Sequence, residues 1–201
     1  MSKLLYIKAN PKPDNVSRTF RISEEFIKGY KEKNPQDEVI TLDLYKENIH
    51  HLTLEDINDI FSQKGDDAQS HPILKYAYEF ASADKYVIAA PLWNLSIPAI
   101  LKSYIDYISV TGITFKYTEN GPVGLCHGKK AMHIVARGGS YGVEPLSSYE
   151  MGDRYLRTIF GFLGITDFTT VAAENLDVIG ADVEGIVQKA IKEAKEVAQN
   201  F

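Results

Sequence analysis

Tyr86-Val87-Ile88-Ala89-Ala90-Pro91-Leu92-Trp93-Asn94-Leu95-Ser96-Ile97-Pro98-Ala99-Ile100-Leu101-Lys102-Ser103-Tyr104-Ile105-Asp106-Tyr107-Ile108 is the stretch from which the fold becomes readable. Tyr86 to Ala90 is a continuous apolar run, the pattern of a strand buried on both faces. Pro91 stops it, because proline cannot donate to a ladder. Ser96, Ile97 and Pro98 open a helix, with proline in the first turn where its missing N–H costs little. Ile97, Ile100, Leu101, Tyr104, Ile105 and Ile108 mark one helical face. Between strand and helix lie Leu92 to Leu95. So bulky and apolar a loop fits poorly in water and fits well as a floor for a flat ligand at the carboxyl edge of a sheet.

Outward from this unit the same alternation repeats. Leu4 to Ala9 reads as a strand, Asn10 to Val16 as a loop, and Ser17 as the N-cap of a helix from Arg18 to near Lys33 that buries Phe20, Phe26, Ile27 and Tyr30. Asn34-Pro35 ends that helix, and Val39 to Leu44 is a second strand. Residues 45–70 read as an excursion, with Thr53-Leu54-Glu55-Asp56 as a capping box and Gly65-Asp66-Asp67 as a breaker. Pro72 to Ala83 is expected to be helical, burying Leu74, Tyr78 and Ala81 or their neighbours. Alternating Ile113, Phe115 and Tyr117 ahead of Asn120-Gly121 mark a hairpin over about 113–123, its return limited by Pro122. Lys130 to Ala136 is a strand, Arg137 to Gly142 a glycine-rich loop, and Ser147 to Phe162 a helix with Met151, Tyr155, Ile159 and Phe162 on one stripe. Phe168 to Ala173 is the last core strand. Asp182 caps a final helix whose apolar face carries Val183, Val187, Ala190, Ile191, Ala194 and Val197.

Strands alternating with helices predict an α/β domain: a doubly wound, five-stranded parallel sheet of flavodoxin-like order 2-1-3-4-5 with helices on both faces. One domain of 201 residues accommodates this. In that order the loops 10–17, 92–95 and 137–142 lie side by side. The net charge of −5 argues against general binding to nucleic acid or anionic membranes. The single Cys126 excludes an intrachain disulfide framework and a cysteine-based zinc site. With neither a signal peptide nor an apolar run near the roughly 20 residues that span a bilayer, a reducing cytoplasm is the expected compartment.

The first loop has the chemistry of an anion site. Lys12, Arg18 and Arg21 gather near a helix N-terminus, where acids ordinarily stand, opposed only by Asp14. Ser17 and Thr19 add hydroxyls. Alternatively, this is an ordinary serine cap with solvated basic residues. No Walker pattern and no Gly-x-Gly-x-x-Gly fingerprint is present, which favours a mononucleotide over a resident dinucleotide. Trp93 suits either core or ligand contact, and Asn94 offers a backbone N–H and an amide to a heterocycle. Gly138-Gly139 permits close backbone approach or is only a turn, and Arg137 binds a ligand or makes a structural ion pair. His50-His51 is expected in solvent and His133 in a structural role. Cys126 beside His127 is a weak nucleophile motif. So thin a catalytic inventory suits a cofactor that carries the chemistry itself.

Pro91-Leu92-Trp93-Asn94-Leu95-Ser96-Ile97-Pro98 with Leu101-Lys102 and Asp106, the run Gly112 to Pro122, Ala136-Arg137-Gly138-Gly139, and Gly161 to Asp167 together resemble the FMN-dependent NADH-azoreductase family, among the flavodoxin-like quinone reductases. The resemblance covers nearly the whole chain. It implies FMN near a homodimer interface, and electrons passing from NADH to quinones or azo compounds by ping-pong hydride transfers. It also implies that Val16, Ser17 and Arg18 hold the phosphate with Asn10 and Thr19 nearby. Leu92, Trp93, Asn94 and Leu95 would contact the isoalloxazine ring, and Ala136, Arg137, Gly138 and Gly139 its other edge. Tyr117 and Phe162 resemble residues lining the substrate face. Trp93 replaces a commoner Tyr, Ala136 a Ser, and Asn10 stands where some relatives have Ser. A flavodoxin-type FMN electron carrier and a hydrolase using Cys126 or a serine are the alternative readings.

Overall fold

A computed structural model describes residues 1–62 and 66–201. Five parallel strands form the central sheet: β1 (Lys3–Lys8), β2 (Glu38–Asp43), β3 (Lys85–Ala89), β6 (Lys130–Ala136) and β7 (Asp167–Ala173), in the order β2-β1-β3-β6-β7. Counting core strands alone, this is the expected 2-1-3-4-5. A separate antiparallel pair, β4 (Phe115–Thr118) and β5 (Gly121–Gly124), is the hairpin. Its two-residue connection is Glu119-Asn120 rather than Asn-Gly. Pro122 pairs with Tyr117 and is tolerated because this ribbon is edge on both sides.

Helices cover both faces. Helices α1 (Arg18–Lys33) and α6 (Val183–Ala198) lie on one, and α3 (Leu74–Ser82), α4 (Ala99–Ile108) and α5 (Gly152–Phe162) on the other, with α2 (Leu54–Ser62) in the excursion. The period of two along each strand divides the core accordingly. Leu4 and Tyr6 of β1, and Val87 and Ala89 of β3, pack toward α1 and α6; Leu5, Ile7, Tyr86 and Ile88 pack toward α3, α4 and α5.

Several expectations shift. Helix α4 begins at Ala99, with Pro98 at its cap, two residues later than Ile97. Helix α3 buries Leu74 as expected and, in place of the half-buried Tyr78 and Ala81, their neighbours Ala77 and Phe80, together with Tyr76. Its start is fixed by His71, whose Nδ1 accepts from the N–H groups of Ile73 and Leu74 (both 3.2 Å). The 147–162 helix is two pieces: a 3-10 turn at Leu146–Tyr149, then α5. Glu150 separates them by accepting from the N–H groups of Asp153 and Arg154, so it caps α5. The buried stripe of α5 is Gly152, Leu156 and Phe160; Met151 and Phe162 are exposed. The capping box forms, with reciprocal bonds between Thr53 and Asp56 at 2.8 and 3.2 Å. The breaker expected at Gly65 lies outside the described residues. Among the described residues, no helix is long and apolar enough to cross a membrane.

Candidate functional site

The carboxyl ends of β1, β3 and β6 bring the three unusual loops to one rim, around a cleft of about 390 Å³. Asn10, Lys12, Val16, Arg18 and Thr19 form one wall; Pro91, Leu92 and Trp93 form another; Ala136, Arg137 and Gly138 close it with Leu176 and Asp177. This is the crevice where strand order reverses, the general ligand position in open α/β sheets.

The first loop is built from its own side chains. The Asn10 amide donates to Ser17 Oγ (3.0 Å) and its carbonyl oxygen accepts from the Lys12 N–H (3.1 Å). Ser17 Oγ also accepts from the Phe20 N–H, so Ser17 is the N-cap. Both side chains therefore shape the loop, and Ser17 does not line the cleft. The first turn of α1 holds no acidic residue, and the N–H groups of Arg18 and Thr19 precede any intrahelical acceptor. Thr19 Oγ1 is buried without a hydrogen-bond partner among the described residues. A buried, unpaired hydroxyl beside free helix amides is the donor set an anionic group requires. Arg18 reaches Asp177 at 2.9 Å, and Lys12 makes no ion pair among the described residues. Arg21 is turned to Glu184 at 2.6 Å and does not line the cleft.

The second wall is a tight turn. Trp93 and Ser96 exchange both backbone bonds (2.9 and 3.0 Å), with Asn94 and Leu95 between them at φ 48° and 69°. Two consecutive positive φ values define a hairpin turn whose twist suits the chain on either side. Asn tolerates this conformation; for Leu it costs roughly 1–2 kcal/mol. The Met151 N–H donates to the Leu95 carbonyl (2.9 Å), bracing the strained residue from the start of α5. Trp93 and Leu95 are exposed, so the tryptophan is not core.

The third wall runs beside the loop after β7. The N–H groups of Asn175, Leu176 and Asp177 donate to the carbonyls of Gly139, Arg137 and Gly138. A Cβ on Gly138 would stand 2.6 Å from Asp177 Oδ2, the end of an exposed side chain that can turn aside, so this contact does not by itself require glycine. Arg137 is buried and does make the structural ion pairs, to Glu174 (3.1 Å) and Glu150 (3.3 Å). Its Nε still has no partner among the described residues, although the residue lines the cleft. The ion-pair reading of Arg137 therefore holds.

Tyr117 and Phe162 are exposed and meet across Phe115, with ring centroids at 5.5 and 4.9 Å. They form an aromatic wall outside the cleft rather than part of its lining. Cys126 is buried, its thiol pushed up by desolvation, and does not line the cleft. His133 is buried between the Ala90 carbonyl and Asp153, a structural role. His50 is exposed yet bonded to Asp56 (3.2 Å) and the Tyr107 hydroxyl (3.1 Å). The described residues hold no His, Cys, Asp or Glu cluster fit for a metal. Sequence reasoning missed Leu176 and Asp177 in the lining, which carry no motif.

A family described as having the flavodoxin-like fold matches residues 2–198. The chain is 67% identical over 201 residues to FMN-dependent NADH:quinone oxidoreductase 2 of Clostridium acetobutylicum, and 65% identical over 201 residues to FMN-dependent NADH:quinone oxidoreductase of Caldicellulosiruptor saccharolyticus. Both alignments cover 100% of each chain. Among solved structures, an FMN-dependent NADH-azoreductase from Bacillus anthracis in complex with FMN superposes with a TM-score of 0.90 at 32% identity, over 100% of this chain and 99% of that one. With its sheet order, its cleft and its full-length likeness all in agreement, the chain belongs to the FMN-dependent NADH:quinone oxidoreductases of the flavodoxin-like fold.

Proposed function

We propose that this cleft holds FMN and that the protein is an FMN-dependent oxidoreductase carrying two electrons from NADH to quinones and azo compounds. One observation carries the reading: the unpaired Thr19 hydroxyl stands with the free first-turn amides of α1 and with Lys12, in one cleft with the apolar Leu92 and Trp93. A phosphate suits the first group and a flat ring the second. The residues present therefore fit FMN, the cofactor named for the relatives.

Val16, Ser17, Arg18 and Thr19 form the phosphate end, with Asn10 shaping the loop around it. Leu92, Trp93, Asn94 and Leu95 underlie the ring, and Ala136, Arg137, Gly138 and Gly139 border its other edge. Bound there, the flavin supplies hydride acceptance and donation, which no side chain of this chain provides. The protein binds, orients and excludes water. The amide of Asn94, in its left-handed turn, and the backbone of Gly138-Gly139 present donors at fixed positions, an arrangement that stabilises negative charge without reorganising. Tyr117 and Phe162 line the face on which NADH and the acceptor take turns. One shared face implies ping-pong kinetics.

A homodimer follows from the family likeness and from the apolar surface beside the cleft, where Trp93, Leu95, Tyr117, Tyr149, Met151 and Phe162 are all exposed. The cytoplasm is the compartment proposed, consistent with a single, reduced cysteine. The test is anaerobic mixing. NADH should bleach the flavin absorbance of the purified protein, and a quinone should then restore it. Initial rates at several fixed quinone concentrations should give parallel double-reciprocal lines. A flavin that NADH leaves oxidised overturns the enzyme reading in favour of an electron carrier, and intersecting lines overturn the shared face.

A further inference from the structure

Lys8 ends β1 directly behind the first loop and is 4% exposed. Its Nζ stands 2.6 Å from Asp14 Oδ1 and 2.9 Å from Glu24 Oε1. The same Glu24 oxygen accepts from the Tyr6 hydroxyl at 3.1 Å, and the ammonium lies 4.4 Å from the centre of the Phe20 ring. An ammonium this far from water is tolerated only when paired. Burial works to lower its pKa, but the hydrogen bonds to Asp14 and Glu24 outweigh it and hold the group charged. Of its two carboxylate partners, Glu24 belongs to α1 and is already fixed by the helix. Asp14 belongs to the loop between β1 and α1, and its position is the one the ion pair decides.

That loop has few other ties. Asn10 joins its beginning to Ser17 at its end, and the N–H groups of Val16 and Ser17 both donate to the Pro13 carbonyl. Pro11 to Val16 are otherwise exposed. Among the described residues, the middle of the loop is anchored to the sheet only through Asp14.

We infer that Lys8 is a positioning residue for phosphate recognition: by tethering Asp14 it holds the 10–17 loop in the shape that leaves Thr19 and the first-turn amides of α1 open to the cleft. The inference rests on the phosphate assignment above and adds a residue that does not line the cleft. It makes Lys8 a determinant of selection for a phosphorylated flavin over an unphosphorylated one.

The experiment titrates the flavin-free full-length protein with FMN and, separately, with riboflavin, which shares the ring but lacks the phosphate. Lys8→Met and Asp14→Asn should each weaken FMN about tenfold, less than a fully buried pair would give because Asp14 is 60% exposed. Riboflavin affinity should stay within about twofold in both, since its ring contacts do not involve this loop. The double variant should be no weaker than either single one, and Lys8→Arg should keep most of the FMN affinity. A general loss of packing would lower both flavins together, so a parallel fall overturns the inference, as does unchanged FMN affinity in Asp14→Asn. Should Lys8→Met fail to fold, Asp14→Asn, on an exposed loop, decides alone. Parent protein that binds riboflavin as tightly as FMN would instead overturn the phosphate assignment itself.

Discussion

Replacing Thr19 by valine should move stability and cofactor affinity in opposite directions. The Thr19 hydroxyl is buried and unpaired among the described residues. Leaving such a group unsatisfied costs about 1–3 kcal/mol, and an isosteric methyl removes the cost without opening a cavity. Valine and threonine have similar helix propensities, so α1 itself is little affected. The flavin-free Thr19→Val protein should therefore gain about 1 kcal/mol, a rise in Tm of roughly 2–4 °C for a chain of this size. With FMN the sign reverses. A hydrogen bond to a charged oxygen contributes about 1.5–3 kcal/mol, so losing it should weaken FMN about tenfold or more. Thermal melts with and without saturating FMN, together with a fluorescence titration, measure both. The stabilisation conferred by FMN should shrink while the flavin-free melt rises. Wild-type FMN affinity in this variant, or a flavin-free protein that is less stable, would refute the reasoning that this hydroxyl is reserved for the cofactor.

Arg18→Glu should weaken FMN at least about tenfold while sparing riboflavin, because it places a carboxylate beside both the phosphate site and Asp177; flavin titration measures it. Gly124→Ala should unseat the β4–β5 hairpin, since the new Cβ would stand 2.2 Å from the Leu163 carbonyl carbon and 2.3 Å from the Gly164 nitrogen, both backbone. A cost of about 3 kcal/mol, a Tm lower by roughly 6–12 °C and a raised quinone KM are expected. Asp153 gives the pH dependence. Burial works to raise its carboxyl, but hydrogen bonds from His133 and Thr170, the His133 charge and a bond from Arg157 outweigh it and hold it well below the usual carboxylate range. Its contribution is thus present above about pH 4 and lost as pH falls through the lower folded value. Asp153→Asn should cost roughly 2 kcal/mol at pH 7, a deficit that narrows as urea unfolding is repeated toward pH 3.

What the chain discloses before folding is its period and its punctuation. Alternation of buried strand with amphipathic helix gave the sheet order, and Pro91, Ser17 and Gly138 marked the loops that meet at the cleft. Helix faces were harder to read. In α3 the buried positions are Leu74 and the neighbours of Tyr78 and Ala81, Ala77 and Phe80, and the helix starts at Leu74 rather than Pro72, where His71 accepts from the N–H groups of Ile73 and Leu74. In α5 the apolar stripe expected on Met151, Tyr155, Ile159 and Phe162 is not the buried one, which runs through Gly152, Leu156 and Phe160 while Met151 and Phe162 face outward. Long-range side-chain links were illegible. Nothing in the neighbourhood of Lys8 announces Glu24, sixteen residues on, and nothing near Arg18 announces Asp177, 159 residues away.

The turn at Asn94 and Leu95 has one more consequence. Its conformation is unfavourable for leucine wherever it occurs, so the disfavoured backbone must be held by the fold around it, here through the bond from Met151. That expense falls once, when the polypeptide first collapses, and recurs in no later turnover. Glycine at position 95 would spare the chain this cost, yet the resulting segment would wander among many shapes and each encounter would have to freeze it anew.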